Sequence, residues 1–214
     1  MRISAIVPAF NEEKTIGAVL EVLRKSSVFS QVIVVDDGSS DRTAEVAAKH
    51  GARVIRQKNL GKGAALASGA YLTNDEILFF CDADLTGLTE QHIRSLIEPV
   101  FNSTAALAVG LRDRGRIVTW CMEHFLPLIG GERAIRRDVF LKVLESGILD
   151  FGIELAMNDY CKKHGLIIKK VRMKGVGQIV KERKYGMVSG FTQRLVMITQ
   201  IIHASARLFF FKKK

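Results

Sequence analysis

Phe79-Phe80-Cys81-Asp82-Ala83-Asp84-Leu85 joins an apolar segment to a pair of carboxylates. The apolar segment, Ile77–Phe80, has the length and composition of a buried strand. Because alternate residues of an extended chain point the same way, Asp82 and Asp84 can converge on one point beyond that strand. Two carboxylates there would suit Mg²⁺ or Mn²⁺, with a substrate phosphate filling other ligand positions. An isolated Asp-X-Asp is more often a solvated turn, so the surrounding sequence has to decide between these interpretations.

Upstream of this segment, apolar runs alternate with helical patterns. The predicted strands are residues 3–8, 31–35, 53–56 and 77–80, and the predicted helices are residues 11–23, 43–50 and 64–71. Asn11 is the predicted N-cap of the first helix, and Gly51 is predicted to close the second. Strands that alternate with helices indicate a parallel sheet with helices on both faces.

Polar clusters follow three of these strands. Since ligands bind beyond the carboxyl ends of such strands, one edge of the sheet is the expected site. Five carboxylates are predicted to gather there: Glu12, Asp36, Asp37, Asp82 and Asp84. This clustering is costly unless cations or hydroxyl donors lie among them.

The second half of the chain is less regular. Helices are predicted over residues 89–101, with Thr89 as N-cap, from Asp138 onward, and over 154–164, and strands over 105–111 and 167–173. Residues 130–137 form a glycine-basic segment that leads into the helix at Asp138, and residues 181–186 form a charged loop. No internal repeat or low-complexity linker is visible, so a single domain over residues 1–214 is expected.

The overall composition limits the classes of molecule that the protein is expected to bind. The net charge of +10 favours nucleic acid, anionic lipid or phosphorylated substrates. One Trp and three Tyr leave few side chains to stack on bases, which argues against nucleic acid. Cys81, Cys121 and Cys161 are odd in number and lack metal-ligand spacing, as expected of a reduced cytoplasmic protein. Residues 1–10 are expected to form a strand rather than a signal peptide.

Four segments, taken in order, resemble the family-two glycosyltransferases of the GT-A fold. They are Ile6-Val7-Pro8-Ala9-Phe10-Asn11-Glu12-Glu13, Val34-Val35-Asp36-Asp37-Gly38-Ser39-Ser40-Asp41, Asn59-Leu60-Gly61-Lys62-Gly63 and Cys81-Asp82-Ala83-Asp84-Leu85. The resemblance covers roughly residues 1–112. Gly131-Glu132-Arg133-Ala134-Ile135-Arg136-Arg137 extends it toward the dolichyl-phosphate mannosyltransferase-like, polyprenyl-phosphate hexosyltransferase branch. It implies an α/β GT-A fold with one Rossmann-like, mostly parallel sheet flanked by helices.

The resemblance also implies roles for residues of the donor half, residues 1–112. A nucleotide-sugar donor, UDP- or GDP-hexose, would be bound by Pro8, Ala9, Glu12, Asp36, Asp37, Lys62, Asp82 and Ala83. Lys62 lies at a helix start, a suitable place to meet a diphosphate. The resemblance implies that Asp82 and Asp84 bind a metal ion, Mg²⁺ or Mn²⁺. In many relatives a polar residue two positions on joins the metal, and here that residue is the neutral Thr86.

The acceptor half, residues 113–186, leaves two kinds of acceptor open. A phosphate acceptor is already anionic and needs cations, for which Arg112, Arg133 and Lys184 are the candidates. A hydroxyl acceptor needs a general base, for which Glu154 and Asp150 are the candidates. Glu154 is equally compatible with a structural role at a helix start. The predicted catalytic residues are Asp84, Arg133 and Glu154.

The C-terminal segment, residues 187–214, contains an apolar stretch at 195–211 with a polar stripe at helical spacing. The stripe favours a helix lying in the membrane surface, with three terminal lysines on lipid phosphates, over a membrane span. A core-packing or dimer-forming helix is the alternative. The sequence therefore predicts a cytoplasmic protein peripheral to the cytoplasmic face of the membrane, with an oligomer possible.

Three functions follow from these features. The first is a metal-dependent, inverting transfer of a hexose from a nucleotide sugar to a polyprenyl phosphate or other lipid acceptor. The second is transfer to a small soluble phosphorylated acceptor such as phosphoglycerate. The third is a non-catalytic nucleotide- or lipid-binding protein on the same scaffold, against which the paired aspartates argue.

Overall fold

The computed structural model describes residues 1–112, 131–147 and 152–178. Its strands are β1 Ile3–Ala9, β2 Gln31–Asp36, β3 Arg53–Arg56, β4 Ile77–Phe80, β5 Leu85–Thr86, β6 Leu107–Arg112, β7 Arg133–Arg136, β8 Ile168–Met173 and β9 Gly177–Gln178. Its helices are α1 Ile16–Lys25, α2 Thr43–Lys49, α3 Lys62–Tyr71, α4 Glu90–Phe101, α5 Arg137–Leu144 and α6 Ile153–Lys163. Among these residues, no helix is long and apolar enough to cross a bilayer.

The main sheet has the strand order β3-β2-β1-β4-β7-β6-β8. Every neighbouring pair is parallel except the two that involve β7, which runs antiparallel to both β4 and β6. A small second sheet pairs β5 with β9. The carboxyl ends of β1, β2 and β4 therefore meet at one edge, and this confirms the predicted mostly parallel α/β architecture.

Helices cover both faces of the main sheet, because β1 and its neighbours carry apolar side chains on both sides. Along β1, Ala5 and Val7 face one core with α1 and α4. Ile6, between them, faces the other core with α3, α5 and α6. This alternation follows from the two-residue period of an extended strand.

Several predicted helix ends are confirmed. Thr89 caps α4, because its side chain accepts a hydrogen bond from the backbone N–H of His92. Gly51 follows α2 with a φ of 78°, a conformation that glycine adopts without strain.

Asn11, however, is not the N-cap of the first helix, which begins at Ile16. Asn11 has a φ of 55°, in the left-handed region that asparagine tolerates. Its backbone N–H donates to Ser39 Oγ at 2.9 Å, and its Oδ1 accepts from the Ser40 N–H at 2.9 Å. Asn11 thus joins the loop after β1 to the loop after β2, and the chain needs four more residues before it turns into helix.

The glycine-basic segment is also different from the prediction. Residues 133–136 form β7, a strand between β4 and β6, and α5 begins one residue early, at Arg137. Because arginines stand at both ends of this short strand, its two central apolar residues, Ala134 and Ile135, are too few to form a recognisable hydrophobic run. The strand brings the acceptor half of the chain directly beside β4.

Candidate active site

Asp37 organises the first part of the site at the carboxyl end of β2. Its carboxylate accepts hydrogen bonds from the backbone N–H groups of Leu60 and Gly61, each at 2.9 Å, and from Gln57 Nε2 at 2.7 Å. Gly61 has a φ of 93° and directly precedes α3. Asp37 therefore fixes the loop from which Lys62 enters the first turn of α3.

The other predicted donor-site residues of the first two strands lie at the same edge. Pro8 and Ala9 end β1, and Ala9 pairs with Asp36 at the end of β2. Asp36 is 1% exposed, accepts from the Ser39 N–H at 3.0 Å and pairs with Arg56 at 3.4 Å. Glu12 accepts from Thr15 Oγ1 at 2.6 Å. Hydroxyl, amide and guanidinium donors thus lie among these carboxylates, as their clustering requires.

Lys62 connects two halves of the chain. Its Nζ lies 2.8 Å from Asp82 Oδ1 and 2.7 Å from Glu154 Oε1, although Glu154 is 92 residues away. Burial alone lowers the pKa of Lys62, but the two carboxylates outweigh it and the net pKa is raised. Lys62 is therefore a fixed positive charge at the start of α3.

Asp82 is held between two cations. Besides Lys62, Arg112 Nη2 donates to its Oδ2 at 2.9 Å. Burial raises the pKa of Asp82, but the two cations outweigh burial and lower the net value, so the carboxylate stays ionised.

Asp84 is placed differently from the prediction. β4 ends at Phe80, and Ala83 and Asp84 lie in a turn, so alternation along an extended strand does not bring the two aspartates together. Instead Arg112 Nη1 donates to Gln178 Oε1 at 2.8 Å, and Gln178 Nε2 donates to Asp84 Oδ1 at 2.8 Å. Arg112 and Gln178 thus link Asp82 to Asp84, and Thr86 follows in β5 with an exposed side chain.

Arg112 and Arg133, the predicted acceptor-phosphate ligands, are both directed into the protein. Arg112 donates to Glu132, Asp82 and Gln178, which uses four of the five N–H groups of a guanidinium. Arg133 is 0% exposed and donates from Nη1 to Asn158 Oδ1 at 2.9 Å. Their roles at an acceptor stay predictions, and these contacts count against a direct one.

The buried charges form an alternating chain. Glu132 binds Arg112, Arg112 binds Asp82, Asp82 binds Lys62, and Lys62 binds Glu154. The last pair in this series joins Glu154 Oε2 to Arg133 Nη2 at 3.9 Å. Among the residues that the structure describes, three basic and three acidic side chains alternate in this series. Each buried charge has an opposite charge beside it, as burial requires.

Oxygen donors at this edge fit a hard divalent cation. Asp82 and Asp84 supply carboxylates, which together with substrate phosphates match the ligands that Mg²⁺ prefers. Within the described ranges, no group of three or more His, Cys, Asp or Glu side chains forms a metal site on its own. The metal role of Asp82 and Asp84 stays a prediction.

Three residues of the site escaped sequence reasoning: Glu132, Asn158 and Gln178. Glu132 lies in the segment that carried the resemblance, yet nothing in the sequence pairs it with Arg112. Gln178 is 94 residues from Asp84 and belongs to no motif. Lys184, Asp150 and the predicted C-terminal helix, residues 195–211, lie outside the described residues.

The mostly parallel sheet, with carboxylates and a lysine beyond three neighbouring parallel strands, has the architecture of the GT-A glycosyltransferases. Residues 4–144 match Glycosyl transferase family 2, and the chain belongs to that family. The predicted fold, family and enzyme class are confirmed.

Three comparisons show how similar the chain is to known proteins. An uncharacterized protein of Methanocaldococcus jannaschii, MJ1222, is 31% identical over 94% of this chain and 92% of its own length. The dolichyl-phosphate beta-glucosyltransferase ALG5D of Trichomonas vaginalis is 34% identical over 63% of this chain, and this match spans 50% of that enzyme. The structure of glucosyl-3-phosphoglycerate synthase from Mycobacterium tuberculosis, in complex with Mn²⁺, UDP and glucosyl-3-phosphoglycerate, superposes with a TM-score of 0.79 at 23% identity, covering 97% of this chain and 79% of that one.

Proposed function

We propose that the protein is a metal-dependent hexosyltransferase that moves a sugar from a nucleoside-diphosphate sugar to a polyprenyl phosphate or another lipid acceptor. The observation that carries the proposal is the pair Asp82 and Asp84, linked through Arg112 and Gln178 at the donor edge of the sheet. A binding module would have little need for two aspartates held in this way.

In the donor half, Pro8, Ala9, Glu12, Asp36 and Asp37 would surround the base and ribose. Carboxylates there can accept hydrogen bonds from ribose hydroxyls or from a base N–H. Lys62, Asp82 and Ala83 would lie at the diphosphate. A divalent cation held by Asp82 and Asp84 would offset the charge that develops on the leaving diphosphate.

The acceptor phosphate is supported by chemistry and by one relative. A phosphate is already anionic at neutral pH, so it needs no general base, and ALG5D is named for a dolichyl-phosphate reaction. Glu154, the base candidate, has Oε1 engaged by Lys62 at 2.7 Å and Oε2 3.9 Å from Arg133. Glu154 would have to release Lys62 or act through Oε2 to serve as a base. Lys184 stays a predicted ligand of the acceptor phosphate.

Transfer of radiolabelled sugar tests the proposal. UDP- and GDP-hexoses would be incubated with Mn²⁺, polyprenyl phosphate and the protein, and label should enter the organic phase. Asp84→Asn should abolish this label, whereas Asp138→Asn, at an exposed aspartate paired with Arg136, should not change it. Label found only in water-soluble products would overturn the lipid acceptor.

A second candidate is transfer to a small soluble phosphorylated acceptor such as phosphoglycerate. Its support is the structural likeness to glucosyl-3-phosphoglycerate synthase. Replacing polyprenyl phosphate with phosphoglycerate in the same assay distinguishes the two, and NMR of the product anomer shows whether configuration is inverted. Metal-independent binding of UDP or GDP without turnover of any donor would favour the non-catalytic alternative.

Attachment to the cytoplasmic face of a membrane belongs to the same proposal, and its support is the sequence pattern of residues 187–214 with the net charge of +10. Flotation with anionic and neutral vesicles measures it. Binding to anionic vesicles that is lost on truncation after residue 186 is expected, and equal flotation of the truncated protein would contradict the predicted helix.

A further inference from the structure

Glu132 is a buried carboxylate next to the donor site that no part of the proposed reaction uses. Its side chain is 0% exposed, and its backbone oxygen accepts from the Gly110 N–H at 2.9 Å. Because that bond is part of the contact between β6 and the segment leading into β7, the position of Glu132 is set by the main sheet rather than by a loop.

Both oxygens of Glu132 bind the same guanidinium. Arg112 Nε donates to Oε2 at 2.9 Å, and Arg112 Nη2 donates to Oε1 in a shorter bond. This two-bond arrangement fixes the plane of the guanidinium as well as its position, which a single contact would not do.

The rest of the guanidinium is directed at the two aspartates. Nη2 also binds Asp82 directly, and Nη1 binds Gln178, which in turn binds Asp84. The direct bond to Asp82 and the link through Gln178 to Asp84 therefore both start from the guanidinium that Glu132 orients. These bonds also satisfy a buried guanidinium, so metal affinity, and not stability, is the property that separates a positioning role from a structural one.

We propose that Glu132 is a positioning residue that acts through Arg112 and Gln178 to set the orientations of Asp82 and Asp84 for the metal and diphosphate of the donor. The inference rests on the proposed function, because it assigns the metal and diphosphate to these aspartates. It makes the segment before β7, in the second half of the chain, part of the donor site.

Glu132→Gln is the matched test, because glutamine keeps the shape but offers Arg112 one acceptor oxygen and removes the charge. Titration calorimetry with Mn²⁺ and UDP should show an affinity for Mn²⁺ about tenfold weaker, the low end of the loss found for direct partners of a metal ligand, because Glu132 acts through Arg112. UDP without metal should bind with nearly unchanged affinity. Glu145→Gln, at an exposed glutamate paired with Lys142, is the control and should bind both as the wild type does.

The outcomes separate the inference from the proposed function. If the wild-type protein shows no Mn²⁺-dependent binding of UDP, the proposed function fails, and this inference fails with it. If the wild type binds and Glu132→Gln binds Mn²⁺ equally well, only the inference is overturned.

A second variant tests the inference if Glu132→Gln fails to fold, a defect that circular dichroism would reveal. Gln178→Ala changes an exposed side chain and breaks only the link from Arg112 to Asp84. It should weaken Mn²⁺ binding at least several-fold with an unchanged melting temperature. Unchanged Mn²⁺ affinity in this variant overturns the inference.

Discussion

Gly131 allows the backbone to lie against Asp82, because glycine has no side chain. A Cβ atom at this position would lie 2.6 Å from Asp82 Cγ and 2.6 Å from its Oδ1, well inside van der Waals contact. Asp82 cannot yield easily, because Lys62 and Arg112 hold its two oxygens. The backbone of residue 131 therefore lies directly against the Asp82 carboxylate of the candidate site.

We expect Gly131→Ala to impair the donor site more than the fold. The new methyl group should displace Asp82 from Lys62 and Arg112 and weaken Mn²⁺-dependent UDP binding by about tenfold or more, the scale of a lost supporting contact at a metal ligand. Calorimetry measures the binding of UDP. Thermal denaturation measures the stability of the fold. Gly17→Ala, where a Cβ meets only the imidazole of His50, is the control. Equal UDP binding by both variants would show that Asp82 is not constrained by residue 131.

Some residues of the candidate site could be predicted from the sequence, and others could not. Asp36, Asp37 and Asp82 could be placed because each follows an apolar run, and parallel strands end at one edge. Glu132 and Gln178 could not, because their partners are 20 and 94 residues away and their own segments show no strand pattern. The direction of Arg112 was missed for the same reason: a basic residue in sequence gives its charge but not its partner.

Among the elements, α3 shows how small residues let a helix lie close to the sheet. Its buried positions are glycines and alanines with one leucine: Gly63, Ala65, Leu66, Ala67, Gly69 and Ala70. At Gly69 a Cβ would lie 3.2 Å from Ile6 Cγ1 and 3.3 Å from its Cδ1, and closer still to Cγ2. The close approach of α3 to β1 brings Lys62 to the end of the sheet.

Gly69→Ala should therefore lower the free energy of unfolding by about 1–2 kcal/mol, because overpacking of a buried contact outweighs the better helix propensity of alanine. Urea denaturation measures the change. Gly17→Ala, in α1, gains the same propensity without a clash in the core and should be neutral or slightly stabilising. A Gly69→Ala variant as stable as Gly17→Ala would contradict the close packing of α3.

Elements were predictable to different degrees. The first four strands were found because each is a continuous apolar run. β7 was missed because a four-residue strand with arginines at both ends resembles a basic loop, and only its neighbours β4 and β6 make it a strand. The start of α1 was missed because Asn11 has the composition of a cap but uses its side chain to join two loops.

Across the whole molecule, buried carboxylates lie at both ends of the main sheet. At the end opposite the site, Asp75 is 2% exposed and accepts from Ser4 Oγ at 2.6 Å, from Ser30 Oγ and from Arg2 Nε at 2.9 Å. Burial raises the pKa of Asp75, but the serine hydrogen bonds and Arg2 outweigh burial and lower the net value. This cluster joins the start of β1 to the segments before β2 and β4.

Asp75 should stabilise the fold in a pH-dependent way. Because its pKa is lower in the folded protein, its contribution is fully present above the ordinary value of about 3.9 and is lost as the pH falls through the lowered value. Asp75→Asn should cost about 1–3 kcal/mol at neutral pH, and the difference from wild type should narrow below about pH 4. Urea denaturation over a pH series measures this. A difference that widens with acid would contradict it, and Glu145→Gln should show little difference at any pH.

The contact between Lys62 and Asp82 has a consequence for how the donor is loaded. Lys62 Nζ lies 2.8 Å from Asp82 Oδ1, so a divalent cation that binds this oxygen has to compete with the lysine for it. The diphosphate of a sugar nucleotide would give the buried lysine another anion to bind in place of that oxygen, so its charge would stay compensated. On the proposed function, metal and sugar nucleotide should therefore favour binding together over binding one after the other.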